Sequence, residues 1–306
     1  MDQAVADVLS VHVGRTWALS PQAGSGFCHT WRAQAAGRSA STETLFVKSA
    51  PAAQGPMLQA EADGLAALSA ADRIKSPALA GCWIDTSLDL AVLAMEWLDL
   101  APHPRAGFGE KFGRQLATLH MMRHAEANGR FGWRRDNWLG ATPQRNRWSE
   151  RGGLSGWMTF FAEERLGAMA EKLSAAGSAP ALIDAIQRVT DALPQFFADG
   201  HVTRPSLIHG DLWSGNWGSL QGGSPAIFDP AVSISDAEAE LAMMELFGAP
   251  PSGFWPAYRE VAPLSDGYAQ RRKLYQLYHV LNHALLFGGG YARQAMTLID
   301  ELLTRR

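Results

Sequence analysis

Cysteine is nearly missing from this chain: two residues among 306, Cys28 and Cys82. They form no C-x-x-C and no framework of bridges, which excludes a disulfide-stapled scaffold and agrees with a reducing compartment. Charge of one sign is equally scarce. Twenty-seven basic side chains against 30 acidic ones leave a net charge of -3. The basic residues are dispersed, so neither nucleic acid nor an anionic membrane finds an electrostatic footprint here. No apolar run is long enough to span a bilayer. The opening Met1-Asp2-Gln3-Ala4-Val5-Ala6-Asp7 carries acids where a secretory leader needs positive charge, so a cytoplasmic protein is expected. G-x-x-x-x-G-K-[ST] does not occur, which disfavours a Walker-type nucleotidase. The helically spaced pairs His120/His124 and His279/His283 lack the H-E-x-x-H glutamate, and packed or capping histidines are the expectation there. No internal repeat is visible.

The length exceeds that of one ordinary core, so two lobes or domains are expected. The chain is organised around Leu207-Ile208-His209-Gly210-Asp211-Leu212-Trp213-Ser214-Gly215-Asn216-Trp217 and its sequel Ala226-Ile227-Phe228-Asp229-Pro230. An Asp followed five residues later by an Asn, then a second Asp closing an apolar run, is a ligand set for Mg²⁺-dependent phosphoryl transfer. The transferring group needs metal on its oxygens and an oriented hydroxyl opposite the leaving group. Kinases write this as H-R-D-L-x-x-x-N followed by D-F-G; here it reads H-G-D-L-W-S-G-N followed by D-P-A. Asp211 thereby takes the base position, and Asn216 and Asp229 the metal positions. An Asp/Asn/Gly-rich turn between strands is the alternative for the motif taken alone.

Other kinase parts occur in the right order. Gly24-Ser25-Gly26 leads into an alternating run, as a turn whose backbone N–H groups approach phosphate does, although such a glycine pair also serves an ordinary hairpin. Thr44-Leu45-Phe46-Val47-Lys48 reads as a strand ending in lysine. Met57, Glu61, Leu65 and Leu68 recur at helical spacing, which sets Glu61 where it can hold Lys48. Gly55-Pro56 starts that helix and Ser76-Pro77 closes the region. The run Leu90 to Leu100 begins as a buried strand and ends like a hinge, where adenine would pair with backbone near Glu96, Trp97 and Leu98. Helical patterns dominate beyond it: around Phe112 to His120, Trp157 to Leu173, Ala181 to Phe197, Leu274 to Phe287 and Ala292 to Leu303, the last two separated by Gly288-Gly289-Gly290. Ser235 and Glu238 match a capping box opening a helix through Phe247. Trp213 and Trp217 are expected to face a substrate from the catalytic loop.

The chain resembles, over nearly its whole length, the fructosamine kinase or ketosamine-3-kinase family of the protein-kinase-like superfamily, near the aminoglycoside phosphotransferases and choline kinases. The specific matches are the tryptophan in His209 to Asn216, Phe131-Gly132-Trp133 with Asp136-Asn137, Gln144-Arg145-Asn146, and Trp157 through Arg165-Leu166. Asp229-Pro230-Ala231, Glu238 to Met243, Leu246-Phe247-Gly248, and Leu277 to His283 with Phe287-Gly288-Gly289 complete them. Three positions depart. The family's E-A-D-L-A is Glu238-Ala239-Glu240-Leu241-Ala242, its G-D-R-E is Ser235-Asp236-Ala237-Glu238, and its G-G-x-I turn is Gly24-Ser25-Gly26-Phe27.

The resemblance implies an α+β, bilobal, protein-kinase-like fold. A small β-rich lobe over residues 1–99 would bind nucleotide, and a larger, mainly helical lobe over 100–306 would carry the catalytic loop, the metal site and the substrate. It implies ATP-dependent, Mg²⁺-requiring phosphorylation of the 3-hydroxyl of ketosamines in deglycation repair. The substrate would be a small ketosamine or a glycated protein amine, and the enzyme a monomer. Asp211 is then the base; Lys48, Glu61, Gly24, Gly26, Glu96, Trp97 and Leu98 serve ATP; Asn216 and Asp229 hold the metal. Trp213 and His209 stand on the substrate side, with His209 bracing the loop. A kinase of an aminoglycoside- or choline-like alcohol shares every catalytic residue, and an inactive kinase-like scaffold would need one of them broken.

Overall fold

A computed structural model describes residues 2–24, 27–36 and 43–304. Two compact units emerge, one formed by 1–105 with 218–229 and the other by 106–217 with 230–306. The first contains α1 (Asp2–Val13), β1 (Trp17–Gln22), β2 (His29–Ala35), β3 (Thr44–Ala50), α2 (Gly55–Ala71), β4 (Leu79–Asp85) and β5 (Leu90–Glu96). Its strands form one antiparallel sheet in the order β1-β2-β3-β5-β4.

The apolar run of β5 has a simple cause. Leu90, Val92 and Ala94 join the core built with Val5, Val8 and Leu9 of α1, whereas Ala91, Leu93 and Met95 join Leu58, Ala62 and Leu65 of α2. A strand covered by a helix on each face has no position left for water, so its two-residue alternation disappears from the sequence. In β3 the alternation still shows. Leu45 and Val47 face the α1 side and Ala50 the α2 side; Lys48 shares that second face by period two. The strand expected to end at Lys48 continues to Ala50.

The second unit contains α3 (Phe108–Met121), the short pair β6 (Asn137–Leu139) and β7 (Thr142–Gln144), α4 (Gly153–Phe160), α5 (Ala168–Ala175), α6 (Pro180–Asp191) and α7 (Leu193–Phe196). After β8 (Ser206–Ile208), the strands β9 (Trp217–Ser219) and β10 (Pro225–Ile227) carry the chain to and from the first unit. Then come β11 (Ser233–Ser235), α8 (Ala237–Met244), α9 (Phe254–Val261), α10 (Tyr268–Phe287) and α11 (Gly289–Thr304). Strands β8 and β11 pair antiparallel, with Ile208 opposite Ser233.

Several expectations are corrected. The opening segment forms α1, whose Val5, Val8 and Leu9 are buried at helical spacing. The expected helix over 157–173 is interrupted by a wider π-type turn at residues 161–167. This insertion re-aims side chains, and Arg165 within it reaches Asn146 Oδ1 at 2.8 Å. The helix α9 has no counterpart in the expected set, and α11 begins inside the glycine run, at Gly289.

The capping box is not formed. Asp236 is the N-cap of α8, accepting from Glu238 N–H, while Ser235 lies in β11. Glu238 is drawn instead to Arg271, whose Nε donates to it at 2.6 Å. A guanidinium satisfies a buried carboxylate better than one backbone N–H does. His201, Asp236 and Glu238 place donor atoms within 4.8 Å of one another. Arg271, held also by Asp199 at 2.8 Å, supplies the positive charge that group needs. Among the described residues no helix is long and apolar enough to cross a membrane.

Candidate active site

In the first unit, Lys48 projects from the α2 face of β3 and meets Glu61, in the interior of α2: its Nζ stands 2.8 Å from Glu61 Oε1. The same ammonium donates to Asp229 Oδ1 at 2.9 Å. Asp229 is brought there by β10, which lies beside the segment after α2 through a Lys75–Ala226 bridge and a hydrogen bond from Ile227 N–H to Lys75 O at 2.9 Å. The φ of Asp229 is +60°. A residue before proline favours extended backbone, so this left-handed conformation costs roughly 1–3 kcal/mol, a strain typical of functional positions.

Burial alone would lower the Lys48 pKa; the charges of Glu61 and Asp229 outweigh it, and the pKa is raised. Lys48 is therefore a fixed cation. Burial raises the Glu61 carboxyl, with Lys48 opposing it. Cys28 lies in the same field. Burial pushes its thiol up to about 11 despite Lys48, so the nucleophilic thiolate is scarce at neutral pH.

Gly24 lies in the β1–β2 connection, where a Cβ would come within 2.9 Å of Thr30 Oγ1; Gly26 falls outside the described residues. At the expected hinge, Glu96 carboxylate binds Lys75 at 2.5 Å and Ala78 N–H at 3.0 Å. Trp97 N–H donates to Thr44 O at 3.3 Å, and Leu98 O accepts from Leu100 N–H at 3.1 Å. Arg32 lies over the Trp97 ring, 4.9 Å from its centroid.

In the second unit the catalytic loop is held from below by one carboxylate. Glu240, on α8, accepts His209 N–H on Oε2 and Gly210 N–H on Oε1, both at 2.8 Å. Oε2 also meets His120 Nε2 at 3.2 Å, and His120 Nδ1 contacts the Tyr258 hydroxyl at 2.8 Å. Burial would raise the Glu240 pKa; His120 and His209 overcome this and lower it, so it is a carboxylate. Gly210 must be glycine: its φ is +86°, and a Cβ would fall 2.0 Å from Ala231 O.

The loop then closes on itself. Asp211 N–H donates to His209 Nδ1 at 3.3 Å, which sets the imidazole's own proton on Nε2 when neutral. Asn216 Nδ2 donates to Asp211 O at 2.8 Å and to Asp211 Oδ2 at 3.2 Å. With its amide nitrogen committed to Asp211, Asn216 has its carbonyl oxygen to offer a cation. Carboxylate and amide oxygens are the donors a hard divalent ion such as Mg²⁺ prefers, and Asp229 in the first unit and Asn216 in the second each offer one such oxygen type.

Two expectations for the loop are corrected. His209 is buried, which removes it from substrate contact and leaves it the bracing role. Trp217 packs its ring against Phe108 and Phe112 at 5.8 and 5.5 Å and is a packing residue. Trp213 is 38% exposed, and its ring meets Phe247 edge to face at 6.1 Å. Sequence reasoning noted Glu240 only as a departure from a family aspartate. Its spacing from Asp211 carries no local signal, because the contact forms through β8 and α8.

The chain is similar to several known proteins. A probable ketoamine kinase of Synechocystis is 41% identical over 264 residues, 85% of this chain and 83% of its own. A chloroplastic protein-ribulosamine 3-kinase of rice is 40% identical over 191 residues, 62% of this chain and 53% of that one. A crystal structure from Thermobifida fusca, provisionally named a fructosamine-3-kinase, superposes with a TM-score of 0.83 at 33% identity, over 98% of this chain and 99% of that one. A choline kinase of Streptococcus pneumoniae shares the fold alone, with a TM-score of 0.62 at 13% identity over 100% and 99% of the two chains. The fold is thus kinase-like and α+β. Matched to the fructosamine kinase profile over residues 1–305, the chain belongs to the fructosamine kinase family.

Proposed function

We propose that this protein is a ketosamine kinase that uses ATP and Mg²⁺ to phosphorylate the sugar 3-hydroxyl of ribulosamine-, erythrulosamine- or fructosamine-type adducts. The observation that carries the reading is the buried Lys48 ammonium shared between Glu61 and Asp229. Such a fixed cation, oriented by a helix-borne glutamate, is what the α- and β-phosphates of ATP require.

Within this reading, Lys48 neutralises those phosphates and Glu61 keeps its ammonium in place. By their places in the sequence motif, Asn216 and Asp229 are the residues that would hold Mg²⁺, which would supply charge neutralisation on the transferring phosphoryl oxygens. Asp211 accepts the proton of the 3-hydroxyl as that oxygen bonds to the γ-phosphorus and the bond to the ADP oxygen breaks. Glu240 and Asn216 fix the direction of Asp211 before substrate arrives, so catalysis is chiefly positioning and charge stabilisation. Trp213 covers the sugar. The 3-phosphorylated adduct is unstable and decomposes, freeing the amine, which makes the cellular role deglycation repair by a cytoplasmic monomer.

The test is ³¹P NMR of the products formed from ATP with ribulosamine, erythrulosamine, fructosamine and aminoglycoside acceptors. A new sugar phosphomonoester signal with the ketosamines supports the reading. ATP consumption with the aminoglycosides alone would transfer the enzyme to their class.

A further inference from the structure

At the start of α8, within the second unit, stands a charged cluster that the proposed chemistry leaves unused. Three carboxylates converge there: Asp199 from the segment after α7, and Asp236 and Glu238 from α8. Arg271 of α10 answers two of them, Asp199 at 2.8 Å and Glu238 at 2.6 Å. Asp236 is left to His201, whose Nε2 stands 2.7 Å from its Oδ2 and which is its one cationic partner among the described residues. On the other side of the same ring, Nδ1 lies 3.5 Å from Glu238 Oε1 and 3.5 Å from Ser265 Oγ.

We propose that His201 is a positioning residue for the catalytic loop: as an imidazolium it clamps the first turn of α8, which keeps Glu240 on the His209 and Gly210 N–H groups, and on losing its proton it releases that turn. The inference rests on the ketosamine reading for what the loop does and adds to it a pH-sensitive support.

The path is short. Asp236 is the N-cap of α8, accepting Glu238 N–H on Oδ1 at 3.2 Å, while its Oδ2 takes the Tyr275 hydroxyl at 2.9 Å as well as His201. A cap fixes the first turn because it satisfies donors the helix cannot. Glu240 lies one turn beyond it and holds the loop by two N–H groups at 2.8 Å. Only the imidazolium suits both neighbours of the ring. It presents an N–H to each carboxylate, whereas a neutral ring with its proton on Nε2 turns a lone pair toward Glu238 Oε1.

The charged groups facing the ring are Asp236 and Glu238 from α8, Arg271 from α10, and Asp199, which accepts the His201 N–H at 3.2 Å. Burial and Arg271 oppose the proton. The hydrogen bond and charge of Asp236, with the charge of Glu238, prevail, and the pKa is raised from its ordinary value. A cavity of about 220 Å³ lined by His201, Asp236 and Glu238, with His120, Arg204 and Tyr258 in its walls, opens the cluster to solvent protons. By linkage the support is complete below about pH 6.5 and is lost as pH rises through the raised native value.

The test follows the wild-type protein from pH 6 to 9, a range that brackets a raised imidazole pKa. NMR of the imidazole signals, assigned by the one missing from His201→Gln, gives the His201 midpoint. Hydrogen exchange, corrected for intrinsic rates, is expected to show the His209 and Gly210 amides losing protection around that midpoint. With ATP and a ribulosamine, kcat is expected to fall by roughly threefold or more across it, the scale on which a helix loses a cap. His201→Gln should stand at the lower level throughout without a step, and His201→Lys, a cation over the whole range, should keep the upper level. A step retained in His201→Gln, or amide protection indifferent to the imidazole titration, would overturn the inference and leave ketosamine phosphorylation in place. If no ketosamine is phosphorylated, the ketosamine reading falls, and amide protection alone then upholds or overturns the role of His201.

Discussion

Lys48 Nζ donates to Asp229 Oδ1 at 2.9 Å although 181 positions of sequence separate the two residues. With Glu61 at 2.8 Å on the other side, the ammonium balances two carboxylates in a mostly buried setting. Removing the cation leaves charge without a partner, which typically costs about 3–5 kcal/mol. Lys48→Met should therefore lower stability in urea unfolding, and adding Glu61→Leu should restore much of it. Turnover with ATP should stay lost in both, by about a hundredfold or more, the scale of a missing electrostatic donor. Recovery of turnover in the double variant would show that the pair serves the fold alone.

Asp229→Ala should abolish Mg²⁺-dependent turnover, because water in place of the carboxylate supplies no charge neutralisation. The substitution also relieves nothing at φ +60°, so circular dichroism and unfolding separate a folding failure from a metal defect. Near-normal activity at ordinary Mg²⁺ would contradict the assignment.

Asp211 tests the chemistry itself. Asp211→Asn should retain ATP binding by calorimetry yet lose at least about a hundredfold in kcat on a ribulosamine, the low end for removal of a general base. Undiminished turnover would refute its role.

Glu240→Gln probes the floor of the loop. One amide oxygen cannot accept the His209 and Gly210 N–H groups on two separate atoms as the carboxylate does; the new NH₂ meets a donor instead. A loss of roughly 1–3 kcal/mol follows for an unsatisfied buried donor, together with a reduced kcat as Asp211 loses its fixed direction. Wild-type values of both Tm and kcat would sink this account.

The acid limb of stability should carry the signature of His279, buried on α10 with its pKa lowered to about 3 by burial first and by the neighbouring His283 and Arg165 next. In the unfolded chain the same imidazole titrates near 6.5. Between those values the unfolded state holds the proton and the native state does not. Its contribution is therefore complete above pH 6.5 and is lost as pH falls toward 3, at a slope approaching about 1.4 kcal/mol per pH unit. Urea unfolding from pH 7 to 4 should show this, and His279→Gln should flatten it. An unchanged slope in the variant would assign the acid sensitivity elsewhere.

How much of this was legible beforehand differs from residue to residue. Lys48 and Glu61 could be found because each obeys a local period, alternation in β3 and helical spacing in α2, and those periods set the face on which each side chain lies. The cap of α8 was misplaced by one residue because Ser235 and Asp236 are both good N-caps. What decided between them was the distant Arg271, which claims Glu238. Trp217 looked like a substrate residue from its place in the loop, yet Phe108 and Phe112 on α3 take its ring.

The sequence by itself determined the order of the parts: a strand lysine, a helix glutamate, the loop with Asp211 and Asn216, and the later Asp229. Short-range backbone geometry fixes such patterns, so they survive in the one-dimensional record. Only the tertiary structure decided that Gly218–Asp229 packs with the first unit, that Glu240 carries the catalytic loop, and that His209 is buried. These outcomes depend on pairings between strands and helices far apart in the chain, where the competition among partners for each buried charge and N–H is settled by packing and leaves no local mark.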